Sequence, residues 1–222
     1  MNADTVVERS APLTERGRRT RDKLLAAARR LFEDRGYAAT RMSDISIEAQ
    51  VSHGTVYTWF TDKEAVLRAL VDVIVSEAYA ALAVGDEISD PLARMAEANR
   101  RYLQAYRRDG RMLEVVEEVA GTDPRYREVL SGIRRDHVAR VTREIERLQR
   151  AGVAADDVDP AIAASALCAM VEGFGRHWYG RREQESSPYD DATAVATLST
   201  IWARGLGLSP HQRDTDRQED QR

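Results

Sequence analysis

Between Thr40 and Lys63 the chain gathers side chains suited to hydrogen-bonding a phosphodiester backbone and the edges of bases. Ser52, His53, Gly54, Thr55, Tyr57 and Thr58 offer hydroxyls, an imidazole, a phenol and one position with no side chain at all, interrupted only by Val56. Thr40, Arg41, Trp59 and Lys63 flank them with a further hydroxyl, a guanidinium, an indole N–H and an ammonium. Small donors of this kind hold phosphates, and those on the leading turns of a helix reach base edges in the major groove of DNA. The expected division of labour gives bases to His53, Thr55 and Thr58, and phosphates to Thr40, Ser52, Tyr57, Trp59 and Lys63.

Other chemistry finds less support. There is no glycine-rich phosphate loop, no HExxH and no CxxC, and His53, His137, His177, His211 and Cys168 do not stand at metal-ligand spacings. The adjacent acids Glu117-Glu118, Asp156-Asp157 and Asp190-Asp191 would point about 100° apart on a helix and share no site. No nucleophile can be nominated, so the chain is expected to be neither an enzyme nor a carrier of a metal or cofactor. A single cysteine excludes an intrachain disulfide and suits a reducing compartment. The N-terminus lacks an apolar signal core, and the longest apolar run, Ala161 to Val171, is too short to cross a bilayer. A cytoplasmic protein with no membrane partner is expected. The net charge of −4 argues against nucleic acid as a whole-chain property. Yet Arg16, Arg18, Arg19, Arg21, Lys23, Arg29 and Arg30 stand against Asp22 alone, a basic stretch suited to backbone binding.

Two short helices and a tight turn would position the donor cluster. Ile45, Ile47 and Ala49 supply the inward contacts of the first, Val51 plugs the turn, and Val56 and Phe60, four apart, give the second its buried stripe. Thr40 is placed to cap the first helix, with Ser43 and Asp44 in its first turn, and Ser52 to cap the second. Thr61 and Glu64 form a capping-box pattern that opens a third helix. Lys63 at that N-terminus completes a phosphate seat. Such a segment needs support, and a preceding helix offers Leu24, Leu25, Ala28, Leu31 and Phe32 on one face before Gly36 ends it.

Helical periodicity continues to the end, with almost no strand alternation. The helix opened near Thr61 runs towards Gly85 and is followed by a loop to Asp90. Pro91 starts another helix, expected to break at Asp109-Gly110, with a short helix from Met112 to Ala120. Asp123-Pro124 opens one closed by Gly152, and Asp159-Pro160 opens one reaching about Arg181. A polar loop, REQESSP, precedes a last helix ended by Gly205 and Gly207. Residues 1–14 and 209–222 read as disordered tails.

The run D-I-S-x-x-A-x-V-S-x-G-T-V-Y-x-W-F-x-x-K-E-A-V-L, from Asp44 to Leu67, closely resembles the DNA-binding domain of tetracycline-repressor-like (TetR-family) regulators. Leu24 to Met42 resembles that family's first helix and its link into the helix-turn-helix. Two departures stand out: Gln50 and Trp59 occupy positions where the family usually has Gly and Tyr or His. The resemblance implies an all-α protein, with a three-helix DNA-binding domain over residues 15–62 and a larger helical regulatory and dimerisation domain over 63–208. It implies a transcriptional regulator that binds a palindromic double-stranded DNA operator as a homodimer, and a repressor released by a small hydrophobic ligand. Candidate ligand residues are Tyr102, Tyr106, Met112, Val116, His137, Met170, Phe174 and Trp178. Candidate interface residues are Leu167, Val171, Val195, Leu198 and Trp202. Two rivals stay open: a DNA-binding regulator with no small-molecule ligand, and an all-α enzyme or adaptor with a vestigial helix-turn-helix.

Overall fold

The computed structural model describes residues 14–82, 88–179 and 190–208. Among these the chain forms eight α-helices and no strand: α1 (Glu15–Arg35), α2 (Met42–Glu48), α3 (His53–Trp59), α4 (Lys63–Leu82), α5 (Pro91–Ala120), α6 (Pro124–Arg150), α7 (Pro160–Tyr179) and α8 (Asp191–Gly205). The expected disordered stretches up to residue 13 and from 209, the REQESSP loop and the end of helix four at Gly85 lie outside the described residues. The chain divides into two compact units, and the division falls between Asp72 and Val73, inside α4.

In the first unit α1 buries Leu24, Leu25, Ala27, Ala28, Leu31 and Phe32 along one face. The Thr14 hydroxyl accepts the Gly17 N–H at 3.2 Å, and Gly36 closes the helix at φ 82°. Ile45 and Ala49, one turn apart, are buried, whereas Ile47 is 75% exposed. The expected inward role of Ile47 is therefore wrong: two residues from Ile45 it lies about 200° round the helix. Two caps also differ from expectation. Arg41 begins α2, its N–H donating to the Asp44 carboxylate at 2.9 Å, while the Thr40 hydroxyl turns inward to the Gly36 carbonyl at 2.9 Å. Asp62 rather than Thr61 caps α4, taking the Ala65 N–H at 2.7 Å. A carboxylate is the better acceptor at the positive end of a helix dipole.

The turn after α2 closes with two hydrogen bonds, Gln50 N–H to the Ile47 carbonyl and Val51 N–H to the Ser46 carbonyl, both at 3.0 Å. That is the Schellman pattern, which puts the residue after the cap in the left-handed region. Gln50 adopts φ 55°, the one non-glycine residue with positive φ among the described residues.

In the second unit α5 runs unbroken through Asp109-Gly110, where a break is expected. A Cβ on Gly110 would sit 3.2 Å from the Tyr179 carbonyl oxygen and 3.4 Å from the Tyr106 ring. Glycine here lets α5 and α7 approach closely, which offsets its helix penalty of ~1 kcal/mol. The Asp-Pro signals act as read: Asp90, Asp123 and Asp159 accept N–H groups of their own first turns at 2.9–3.0 Å. The core holds Leu103, Cys168, Val171, Leu198 and Trp202 in one cluster, with Leu167 and Val195 packed against it. The five candidate interface residues thus fill or border the interior of one chain. Buried Asn99 donates to Ser199 at 3.0 Å and ties α5 to α8.

Candidate nucleic-acid interface and ligand cavity

Two buried anchors decide which side of α3 faces out. Val56 is fully buried and Phe60, just past the helix, nearly so. The opposite side presents His53, Gly54, Tyr57 and Thr58, with exposed Ser52 leading in and Thr55 half-buried beside it. Ser52 caps the helix by accepting the Thr55 N–H at 3.2 Å, and the two hydroxyls are 2.7 Å apart. The His53 and Tyr57 rings meet edge to face at 5.1 Å, which fixes both in place. The Thr58 hydroxyl donates to the Gly54 carbonyl at 3.1 Å. Nothing lies within 4 Å of where a Gly54 Cβ would be, so packing within the chain does not call for glycine there.

Three of the expected phosphate contacts are differently employed. Thr40 is 1% exposed. The Lys63 ammonium donates to the carbonyls of Tyr37 at 2.7 Å, Thr40 at 2.8 Å and Ala38 at 3.3 Å, and it lies 4.3 Å above the Tyr37 ring. An ammonium has three donors, and all are engaged; partial burial also lowers its pKa. Lys63 locks the start of α4 to the segment entering α2. The Trp59 ring lies against the first turns of α1, 3.2 Å from where a Gly17 Cβ would be. The basic stretch is also partly neutralised. Arg18 and Arg19 both bond Glu15, Arg29 pairs with Glu33, Arg30 with Glu48, and Arg21 stacks over Phe60. Arg16, Lys23 and Arg41 stay exposed.

The second unit holds a half-open cavity of about 450 Å³ lined by α4, α5, α6 and α7. Of the expected ligand residues, Tyr102, Tyr106 and His137 line it. Met112 and Val116 are core, Met170 and Phe174 pack against the interior cluster, and Trp178 meets His177 edge to face and Phe174 at a tilt. Apolar residue type alone does not separate cavity wall from core. Sequence reasoning missed the ion-paired rim: Arg176 reaches Glu117 at 2.7 Å and Glu172 at 3.1 Å, and Arg134 holds Glu172 from the other side. The four-residue spacing of Glu172 and Arg176 was the available signal.

Tyr102 stacks on His137 with centroids 5.5 Å apart and planes at 16°. His137 Nδ1 accepts from Arg140 at 3.2 Å. Burial, and then the Arg140 charge, push the imidazole down to about 4, so it is neutral at pH 7. Burial likewise pushes the Tyr106 phenol up to about 12 and raises Tyr102 further. Buried, uncharged donors and acceptors beside an apolar wall suit an apolar ligand with a polar anchor.

Residues 24–70 match the family described as bacterial regulatory proteins, tetR family, and residues 89–184 match the tetracyclin repressor-like C-terminal domain. The HTH-type transcriptional regulator TcmR of Streptomyces glaucescens is 30% identical over 209 residues, spanning 89% of this chain and 90% of its own. The HTH-type transcriptional regulator EthR of Mycolicibacterium smegmatis is 26% identical over 185 residues, spanning 82% and 84%. Among solved structures, NalD of Pseudomonas aeruginosa shares the fold, with a TM-score of 0.64 at 22% identity over 87% of this chain and 98% of its own.

Proposed function

The chain belongs to the tetR family of bacterial regulatory proteins and is a helix-turn-helix DNA-binding transcription regulator, and from that premise we propose that it is a ligand-responsive repressor that binds a palindromic operator as a homodimer. The observation that carries this is the outer face of α3, where His53, Gly54, Tyr57 and Thr58 are exposed on a helix held from behind by Val56. His53, Thr55 and Thr58 would read bases, with Gly54 allowing close approach. Ser52, Tyr57 and Arg41 would hold phosphates.

One recognition helix reads only a few base pairs, so specificity favours two related by a two-fold axis. The exposed sides of α7 and α8 are largely uncharged, with Ile162, Ser165 and Ala169 on one and Ala196, Thr200 and Ile201 on the other. These helices are the dimer surface in this proposal, through their outer residues rather than through Val171, Leu198 and Trp202. The cavity of about 450 Å³ favours a small-molecule effector over a regulator without one. Ile74 of α4 is part of its wall, and Lys63 at the start of the same helix grips the segment entering α2. Ligand binding that displaces α4 would move the recognition helices out of register. A coupling of ~1–3 kcal/mol would loosen operator DNA by about 5–150-fold.

Selection of bound duplexes from a random pool at physiological salt tests the core of this. A palindromic site with half-sites about one helical turn apart is expected. Failure of the folded protein to enrich any sequence would defeat the proposal.

A further inference from the structure

The second unit holds another cavity, of about 410 Å³, between the start of α5, the last turns of α6 and the end of α8. It shares the Tyr102–His137 wall with the first but differs in charge. In the first, Asp109, Glu117 and Glu172 balance Arg127, Arg134 and Arg176. In the second, Arg94, Arg140, Arg143, Arg147 and Arg150 face a single carboxylate, Glu144. That carboxylate is already engaged by Arg94 and Arg147, each at 2.7 Å.

Arg140 has no such partner. It is half-buried, its hydrogen bond within the chain goes to the neutral His137, and no carboxylate among the described residues pairs with it. A guanidinium withdrawn from water calls for a counter-charge. Trp202 also lines the cavity and is 6% exposed, and its indole N–H is sealed from solvent without an acceptor. Buried donors in native proteins are almost always satisfied. Met95, Val141, Leu148 and Leu206 give the cavity that Arg140 lines an apolar wall.

We infer that this second cavity is a binding site for an organic anion with an apolar body, its head group on Arg140. The volume holds roughly a dozen water-sized groups, which suits a medium-length chain. Carboxylate and phosphate-monoester heads share the required chemistry. The inference concerns direct binding to the second unit and does not depend on the DNA-binding assignment.

Calorimetric titration of the full-length protein with decanoate, decyl phosphate, decanol and inorganic phosphate tests it. At least one of the two decyl anions should bind saturably and at least ten-fold more tightly than decanol, and the tighter one identifies the head group. Inorganic phosphate should bind no more tightly than decanol. Arg140→Met should weaken the preferred anion about ten-fold or more without altering decanol, and Arg140→Lys should restore part of the difference. Equal binding of decanol and both anions by the wild-type protein would overturn the inference, as would inorganic phosphate binding as tightly as the decyl anions. An Arg140→Met protein with native melting behaviour and unchanged anion affinity would do the same. Operator binding, measured on the same preparation, separates loss of this site from failure of the regulator assignment.

Discussion

Gln50 shows how much backbone geometry a single residue can be asked to carry. Its φ of 55° is set by the Schellman closure of α2, a turn that glycine enters at no steric penalty. A side chain there costs about 1 kcal/mol. Gln50→Gly should stabilise the protein by about that amount and raise Tm by ~2–4 °C for a chain of this size. A lower Tm in thermal denaturation would mean that the glutamine side chain makes contacts that outweigh the strain. His137 carries a second prediction. Unfolded, the imidazole takes up its proton near 6.5, and in the fold only near 4. Between those values the unfolded chain binds more protons, so stability is fully present above about 6.5 and falls as pH drops towards 4. The loss is on the order of 2–3 kcal/mol. The carboxylates with displaced pKa values, Glu97, Asp123, Glu144 and Asp190, are all lowered, so their contributions are lost at more acid pH. Comparing Tm at pH 7.5 and pH 5 should show an acid loss that His137→Gln removes; the same loss in both proteins would sink the assignment.

At the scale of helices, α3 separates what folding needs from what DNA needs. Val56 and Phe60 serve the fold, whereas Gly54 lies in open space on the other side. Gly54→Ala should therefore stabilise the isolated protein by up to ~1 kcal/mol through helix propensity, yet weaken operator binding, because a methyl group keeps the helix from its closest approach. Melting curves and operator titrations on one preparation decide this. Equal operator affinity would remove Gly54 from the interface. The helices themselves were largely legible, because many of their ends rest on chemistry written in adjacent residues: Asp-Pro pairs, Ser52, Gly36 and Gly152. What sequence could not show depends on distant partners. Lys63 finds its acceptors 23 to 26 residues earlier, so an ammonium of the right type for phosphate holds the chain's own carbonyls instead. Gly110 reads as a break until the Tyr179 carbonyl is seen passing over it. The cavity rim was hidden for the same reason: Arg134 lies 38 residues from Glu172, and Arg176 lies 59 from Glu117.

For the whole molecule, the proposed homodimer turns on how two copies would meet. The strongest apolar residues of α7 and α8, Val171, Leu198 and Trp202, are already buried within one chain. What remains outside is Ile162, 71% exposed, and Ile201, 47% exposed, set among alanine, serine and threonine side chains. Small residues let helices approach closely, and two exposed isoleucines gain by being covered, at about 25 cal/mol per Å² of apolar surface removed from water. A charge on each helix should reverse that gain without touching the interior, because both positions point away from it. The double variant Ile162→Glu, Ile201→Glu should sediment as a folded monomer with an unchanged helical spectrum. It should bind an isolated half-site as the wild type does, but lose ~10²–10⁴-fold on the full palindrome, where two linked recognition helices act at high effective concentration. A variant that remains dimeric and keeps its affinity for the palindrome would place the interface elsewhere. A variant that is monomeric yet undiminished on the palindrome would mean that DNA itself, not the α7–α8 surface, brings the two copies together.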